Sequence, residues 1–237
     1  MAIHVGALLF DYQAIDVVGP LDVLNSASKA LMEGINEYTP VDPAIIAKAP
    51  EFVFHHIGET NDPVHLLTNN ITMHPTVSVD DAPELDILLV GGPSPRNFTL
   101  APKQAELIRA HVKAGKLLFT TCTGAAVVAA TGVLDGRRAT VNNLELNWLK
   151  PRFPNVLWTK EKKWVVDGNI WTGSGAVAGM DMVAHWVKEK FGLDVLMQAA
   201  LSLDYEPRDV DGLFTVFPKR YDEHGKMVST LVFPDEI

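Results

Sequence analysis

The chain has 237 residues, 47% of them hydrophobic and 21% charged, an ordinary balance for an α/β protein and enough to bury one substantial core. A count of 20 basic against 29 acidic residues gives a formal charge of −9, which argues against a nucleic-acid or anionic-membrane surface because both need a basic field. One cysteine excludes an intrachain disulfide, no run approaches the roughly 18 apolar residues of a membrane span, and the start lacks the basic region of a signal peptide, so a cytoplasmic protein acting on small molecules is expected.

Along the chain, strand-length apolar runs alternate with stretches of helical period, the pattern of a mostly parallel sheet covered on both faces. Ile3 to Phe10 reads as the first core strand. Pro20 suits the first turn of a helix reaching Met32, with Leu21, Leu24, Ala27 and Leu31 on one face. Ser28 falls on that face and is tolerated there if it bonds back to the preceding turn. Between Glu37 and Asp81 the pattern breaks into Pro and Asn turns, with short strands expected at Phe52 to His55 and Val64 to Leu67. His55 and His56 are adjacent on a strand and so point to opposite faces, with no Cys or carboxylate cluster to complete a site; no metal is expected there.

Leu85 to Val90 and Lys116 to Thr121 are the other clear strands, separated by a helix from Lys103 to Ala114. Further helices are expected at Ala125 to Ala130, Asn143 to Lys150, Gly175 to Phe191 and Leu193 to Leu203, the last two divided by Gly192. The glycines of Gly173-Ser174-Gly175 and Gly179 point to close helix packing, and Trp148, Trp158, Trp164, Trp171 and Trp186 to packing or a dimer surface. One domain over residues 1–205 is therefore expected. Residues 206–237, with apolar pieces at Phe214 to Phe217 and Met227 to Phe233, read as an ordered extension or hairpin packed on that domain or on a dimer partner.

Chemistry concentrates in three loops, each following one of the three clear strands, because the carboxyl ends of parallel strands share one crevice. Cys122 stands where the apolar run Leu117 to Thr121 turns straight into a helix, a position that favours the thiolate through the N–H groups and partial positive charge of the helix N-terminus. A lone cysteine is also often a small buried hydrophobe. Asp16, in Ile15-Asp16-Val17-Val18-Gly19-Pro20, reads either as a helix cap or as a desolvated carboxylic acid with a raised pKa beside the thiol. Asp22, inside the helix, reads as solvated or capping. Gly91-Gly92 reads either as a turn needing glycine dihedrals or as backbone N–H groups free to approach a reacting atom.

Five motifs in register, Asp16-Val17-Val18-Gly19-Pro20, Leu88-Leu89-Val90-Gly91-Gly92, Thr121-Cys122-Thr123-Gly124-Ala125, Gly136-Arg137-Arg138-Ala139-Thr140 and Gly179-Met180-Asp181-Met182, resemble the ThiJ/PfpI superfamily of class I glutamine-amidotransferase-like proteins. Within it, the Asp-x-x-Gly-Pro and Cys-Thr-Gly forms most resemble the isocyanide hydratase branch. The resemblance implies a flavodoxin-like three-layer α/β/α sandwich, usually a homodimer, with a cysteine nucleophile elbow and no cofactor. Carried over by position, it implies Cys122 as nucleophile, Asp16 as its acidic partner, Thr123 as a hydroxyl and backbone donor, and Gly92 with Gly91 as oxyanion-hole contributors. The implied reaction adds water to an isocyanide to give an N-substituted formamide.

The chain departs from the pattern at Asn142, where many relatives carry His. Asn cannot accept and release a proton as His can, which counts against Cys-His chemistry such as amidase action and leaves Asn142 a substrate-binding role. Glyoxalase-like or deglycase-like action on small carbonyl compounds is the second enzymatic reading. A non-catalytic thiol sensor, with Cys122 oxidised beside Asp16, is the alternative outside enzymes. A DNA-binding regulator is not expected, since the 32 residues after Tyr205 (237 minus 205) are too few for an appended DNA-binding domain.

Overall fold

The apolar runs pair as a sheet whose strands come from distant parts of the chain. The structure, a computed structural model, describes residues 1–228. In chain order the first half comprises β1 (Ile3–Leu8), α1 (Ile15–Ser26), α2 (Lys29–Asn36), α3 (Pro43–Lys48), β2 (Phe52–Gly58), β3 (Val64–His65), β4 (Thr72–Met73), β5 (Val77–Ser78), β6 (Ile87–Val90) and α4 (Pro102–Lys113). The second half comprises β7 (Leu117–Thr121), α5 (Gly124–Ala129), β8 (Arg138–Ala139), α6 (Leu146–Leu149), β9 (Leu157–Trp158), β10 (Trp164–Asp167), β11 (Ile170–Gly173), α7 (Ala176–Phe191), α8 (Leu193–Leu203), β12 (Arg220–Tyr221) and β13 (Met227–Val228).

Seven strands form the main sheet in the order β10-β11-β7-β6-β1-β2-β5, parallel throughout except that β10 runs antiparallel to β11. The connection from β1 to β2 runs one way along the sheet and that from β6 to β7 the other. Right-handed crossovers therefore send α1 and α4 to opposite faces, and the order reverses between β1 and β6. On one face α1, α7 and α8 pack together; on the other, α4 and α5 lie against β6 and β7. This is the flavodoxin-like sandwich the motifs imply. All four residues of β6 are buried, as a central strand covered on both sides requires.

Several local expectations change. The helix expected from Pro20 begins five residues earlier, at Ile15, so Pro20 lies inside α1, where it has no N–H to give the Asp16 carbonyl. That helix also stops at Ser26 instead of reaching Met32. Ser28 does not bond back into it; its Oγ accepts the Leu31 N–H at 3.2 Å as the N-cap of a second helix, α2. The segment expected to hold short strands also contains the short helix α3, started by Asp42, whose carboxylate accepts the Ala44 N–H at 2.8 Å. The helix expected from Asn143 to Lys150 shrinks to α6, because residues 142–145 form a turn closed by the Glu145 N–H on the Asn142 carbonyl at 3.1 Å.

Close glycine contacts hold the site end of the sheet together. A Cβ on Gly173 would lie 3.2 Å from the Cα of Gly179, and one on Gly179 would lie 2.5 Å from Thr121 Oγ1, so α7 sits directly on the strand ends beside Cys122. Beyond α8, the Asp181 carboxylate, fully buried in α7, takes the Arg208 backbone N–H at 3.0 Å and the Arg208 guanidinium at 3.0 and 2.8 Å, with the Tyr205 hydroxyl donating to its other side. Phe217 is buried in the core, and β12 and β13 form an antiparallel hairpin. The end of the expected Met227 to Phe233 piece lies outside the described residues. No helix among the described residues is long and apolar enough to cross a membrane.

Candidate active site

The site is assembled where the order of strands reverses. The loops after β1 and β6 are joined by a Tyr12–Pro93 bridge and by the Gln13 N–H on the Gly92 carbonyl at 3.1 Å. Cys122 follows β7, its N–H held by the Gly173 carbonyl at 3.1 Å. Its φ is +58°, a left-handed conformation that side chains other than glycine, asparagine and aspartate adopt rarely, and the chain then turns at once into α5. That strained turn presents the thiol at the crevice with 8% of the residue exposed.

The loops bring Asp16 and Gly92 to the same place, with Thr123 beside them. Asp16 does not cap α1. It lies one residue into the helix, fully buried, and its Oδ2 accepts the Gly92 N–H at 3.0 Å across the crevice. Gly92 must be glycine, since a Cβ there would lie 2.5 Å from Thr123 Oγ1 and 2.8 Å from Asp16 Oδ2. Its N–H is thereby given to Asp16 rather than aimed at a reacting atom. Gly91 packs against Val17 and Tyr12, where a Cβ would come within 2.6 Å of Val17 Cγ2. The Thr123 hydroxyl donates to the Pro93 carbonyl at 2.7 Å, which ties the elbow to the loop after β6.

Burial raises the Asp16 pKa from 3.8 to about 6; the Gly92 N–H and the neighbouring thiol offset only part of that rise. Its Oδ1 is buried with no hydrogen bond of full geometry, so Cys122 is near enough to affect the carboxyl without a well-aligned bond. The thiol departs from the sequence expectation. Burial and the Asp16 charge push its pKa up, against the lowering influence of the Asn142 amide and the Thr123 N–H. Near neutrality the resting pair is therefore a thiol beside a carboxylate, and the thiolate must be made during reaction.

Asn142 donates from Nδ2 to the Cys122 Sγ at 3.2 Å, and its Oδ1 accepts the Leu144 N–H at 3.0 Å. The second bond fixes which end of the amide faces sulfur. Asn142 can thus stabilise a sulfur anion and cannot take its proton. Sequence reasoning missed Glu145, whose charge acts on Cys122 and whose Oε2 is buried without a partner; no local pattern around it marks a functional residue. It also missed that Trp148 lines a cavity beside the elbow. The two histidines nearest in sequence are engaged elsewhere: His111 Nε2 is 2.8 Å from the Leu117 carbonyl and His185 Nε2 3.0 Å from Glu189. Among the described residues no group of three His, Cys, Asp or Glu side chains is arranged to hold a metal.

A cysteine on a strained strand-to-helix turn, at the switch point of a parallel sheet and backed by a buried carboxyl, defines a protein built to present one thiol. The DJ-1/PfpI family model matches residues 8–189, and the chain belongs to that family. It is 30% identical over 210 residues to an isonitrile hydratase of Pseudomonas putida, covering 87% of this chain and 80% of that one. It is 27% identical over 135 residues to the HTH-type transcriptional regulator GbdR of Pseudomonas aeruginosa, covering 57% of this chain and 36% of the regulator. Among solved structures, a ThiJ/PfpI family protein from Pseudomonas syringae superposes with a TM-score of 0.69 at 20% identity, over 88% of this chain and 77% of that one. Drosophila melanogaster DJ-1beta superposes with a TM-score of 0.66 at 18% identity, over 86% and 99%. With these two structures the shared feature is the fold.

Proposed function

We propose that the protein is a cofactor-independent hydratase that adds water to an isocyanide through Cys122, working as a homodimer. The observation that carries this is the thiol of Cys122 beside the buried carboxyl of Asp16, whose pKa of about 6 lets it take and return a proton near neutrality. The similarity to an isonitrile hydratase over most of both chains supports it.

In this reading Asp16 takes the thiol proton as sulfur bonds to the terminal isocyanide carbon, and returns it to that carbon to give a thioimidate, R–N=CH–S–Cys122. Water adds to the same carbon, its proton passing through Asp16 to nitrogen. The tetrahedral R–NH–CH(OH)–S–Cys122 then breaks its C–S bond, yielding the formamide R–NH–CHO, and the hydroxyl proton returns to sulfur by way of Asp16. Asn142 Nδ2 and the Thr123 N–H are the donors near sulfur when it carries charge.

The raised thiol pKa weighs against peroxide sensing, which depends on thiolate. Asn142 at the usual His position weighs against the glyoxalase-like reading. Steady-state consumption of phenyl isocyanide, with formanilide identified as product, tests the proposal. Turnover by wild type that falls by at least ~1000-fold in Cys122→Ala, the scale of losing a covalent nucleophile, is expected. Equal rates in the two proteins would end it.

A further inference from the structure

A cavity of about 570 Å³ lies against the elbow, within the size range of small-molecule sites. Cys122, Asp16 and Asn142 are not among its lining residues; it adjoins the elbow through the residue that follows the thiol. Thr123, the residue after Cys122, lines it, as do Ala126 and Val127 on the next turn of α5. The turn that brings Asn142 to the sulfur leads into α6, whose Trp148 and Leu149 form the facing wall. Phe98 and Phe153 add apolar surface to the lining, and Thr99 and Thr131 polar surface.

Two arginines, Arg96 and Arg152, are also among the lining residues, and both are exposed. Elsewhere in this acidic chain Arg137, Arg138 and Arg208 each pair with an aspartate, while Arg109 on α4 has no ion pair among the described residues. Neither Arg96 nor Arg152 has a carboxylate partner among the described residues. Arg152 is held in place without one: its Nη1 donates to the Trp148 carbonyl at 2.7 Å and its guanidinium carbon stands 3.6 Å from the Trp148 ring centroid. An ordered guanidinium without a carboxylate partner, on the lining of such a cavity, presents the fork of donors that matches a carboxylate, with little ordering left to do on binding.

We infer that this cavity holds the body of the substrate and selects a ring-sized apolar group ending in a carboxylate, which Arg96 and Arg152 receive while the electrophilic end lies at Cys122. The electrophile's identity rests on the hydratase reading; the carboxylate preference does not. Two measurements separate them.

The first compares kcat/KM for 4-isocyanobenzoate and for its methyl ester. Wild type should favour the acid by at least tenfold, mainly through KM, and the ratio of the two substrates should fall toward one in Arg96→Gln/Arg152→Gln. The second uses calorimetry with the unreactive product analogues 4-formamidobenzoate and its methyl ester, and needs no turnover. Tenfold tighter binding of the acid by wild type, lost in Arg96→Gln alone as well as in the double variant, supports the carboxylate site even if no isocyanide is consumed. Equal binding of acid and ester, or no binding of either, overturns it whatever the turnover.

Discussion

Asp16 carries a charge where the protein gives it little solvation, so it should destabilise the fold it serves. Its folded-state pKa of about 6 lies above the ordinary 3.8, so the native protein binds this proton more tightly than the unfolded chain does. Stability attached to the protonated form is therefore lost as pH rises from about 4 through 6. At roughly 1.4 kcal/mol per pH unit the full effect is about 3 kcal/mol. Asp16→Asn keeps an oxygen for the Gly92 N–H and removes the charge. Urea unfolding should find this variant more stable than wild type at pH 7.5, by up to ~3 kcal/mol, with the gap closing toward pH 4; its turnover should drop sharply. A variant no more stable than wild type at pH 7.5 refutes the burial argument. The nearness of Asp16 to Cys122 was legible in the sequence because each stands in a loop that follows a clear strand, whereas Thr123 entered only through the family resemblance. The state of the thiol was not legible, because burial and the Asp16 charge, brought to it across 106 residues of separation (122 minus 16), outweigh the helix N-terminus that the local pattern shows.

At the scale of elements, α7 is fixed through its first two turns. Gly179 lets it settle on Thr121 beside the elbow, and Asp181, two residues on, clasps Arg208 and Tyr205 from the segment after α8. Removing the carboxylate leaves the partly exposed Arg208 guanidinium free to turn to water, but takes a buried acceptor from the Tyr205 hydroxyl and the Arg208 N–H, a change that costs about 1–3 kcal/mol. Asp181→Ala should lose stability on that scale by urea unfolding, and Asp181→Asn, which keeps one acceptor, should lose less. A loss under ~1 kcal/mol, the range of surface pairs, would show the clasp to be incidental. Elements with continuous apolar strands bounded by turns, such as β6 and β7, were readable from local pattern. The start of α1 was not, since Pro20 fits the first turn of a helix as well as it tolerates a later one. The division at Ser28 was equally hidden, because a serine serves as back-bonding residue or as cap according to whether the chain around it continues or turns. The four-residue α6 and the two-residue β8 and β9 are too short to show a period.

For the whole molecule, one cluster of buried side chains takes in both faces of the sheet, from Val17 and Leu24 of α1 to Ile108 of α4, Val127 of α5 and Phe217 beyond the last helix. Trp164, Trp171 and Trp186 belong to it. Such a core should be lost at once. Guanidinium unfolding followed by tryptophan fluorescence and by far-ultraviolet circular dichroism should give coincident transitions; separated midpoints would mean that part of the sandwich melts alone. The alternation of strand and helix made the layered class readable, while the edge formed by β10 and β11 was not, because pairing with β7 is settled only in three dimensions. The one cysteine gives the molecule a further property. A reagent too bulky to reach Cys122, 8% exposed, must wait for the structure around it to open, so its rate is set by how often that happens multiplied by the reactivity of the open thiol. Graded by size, disulfide reagents turn Cys122 into a gauge of the protein's breathing, with no second sulfhydryl to blur the reading.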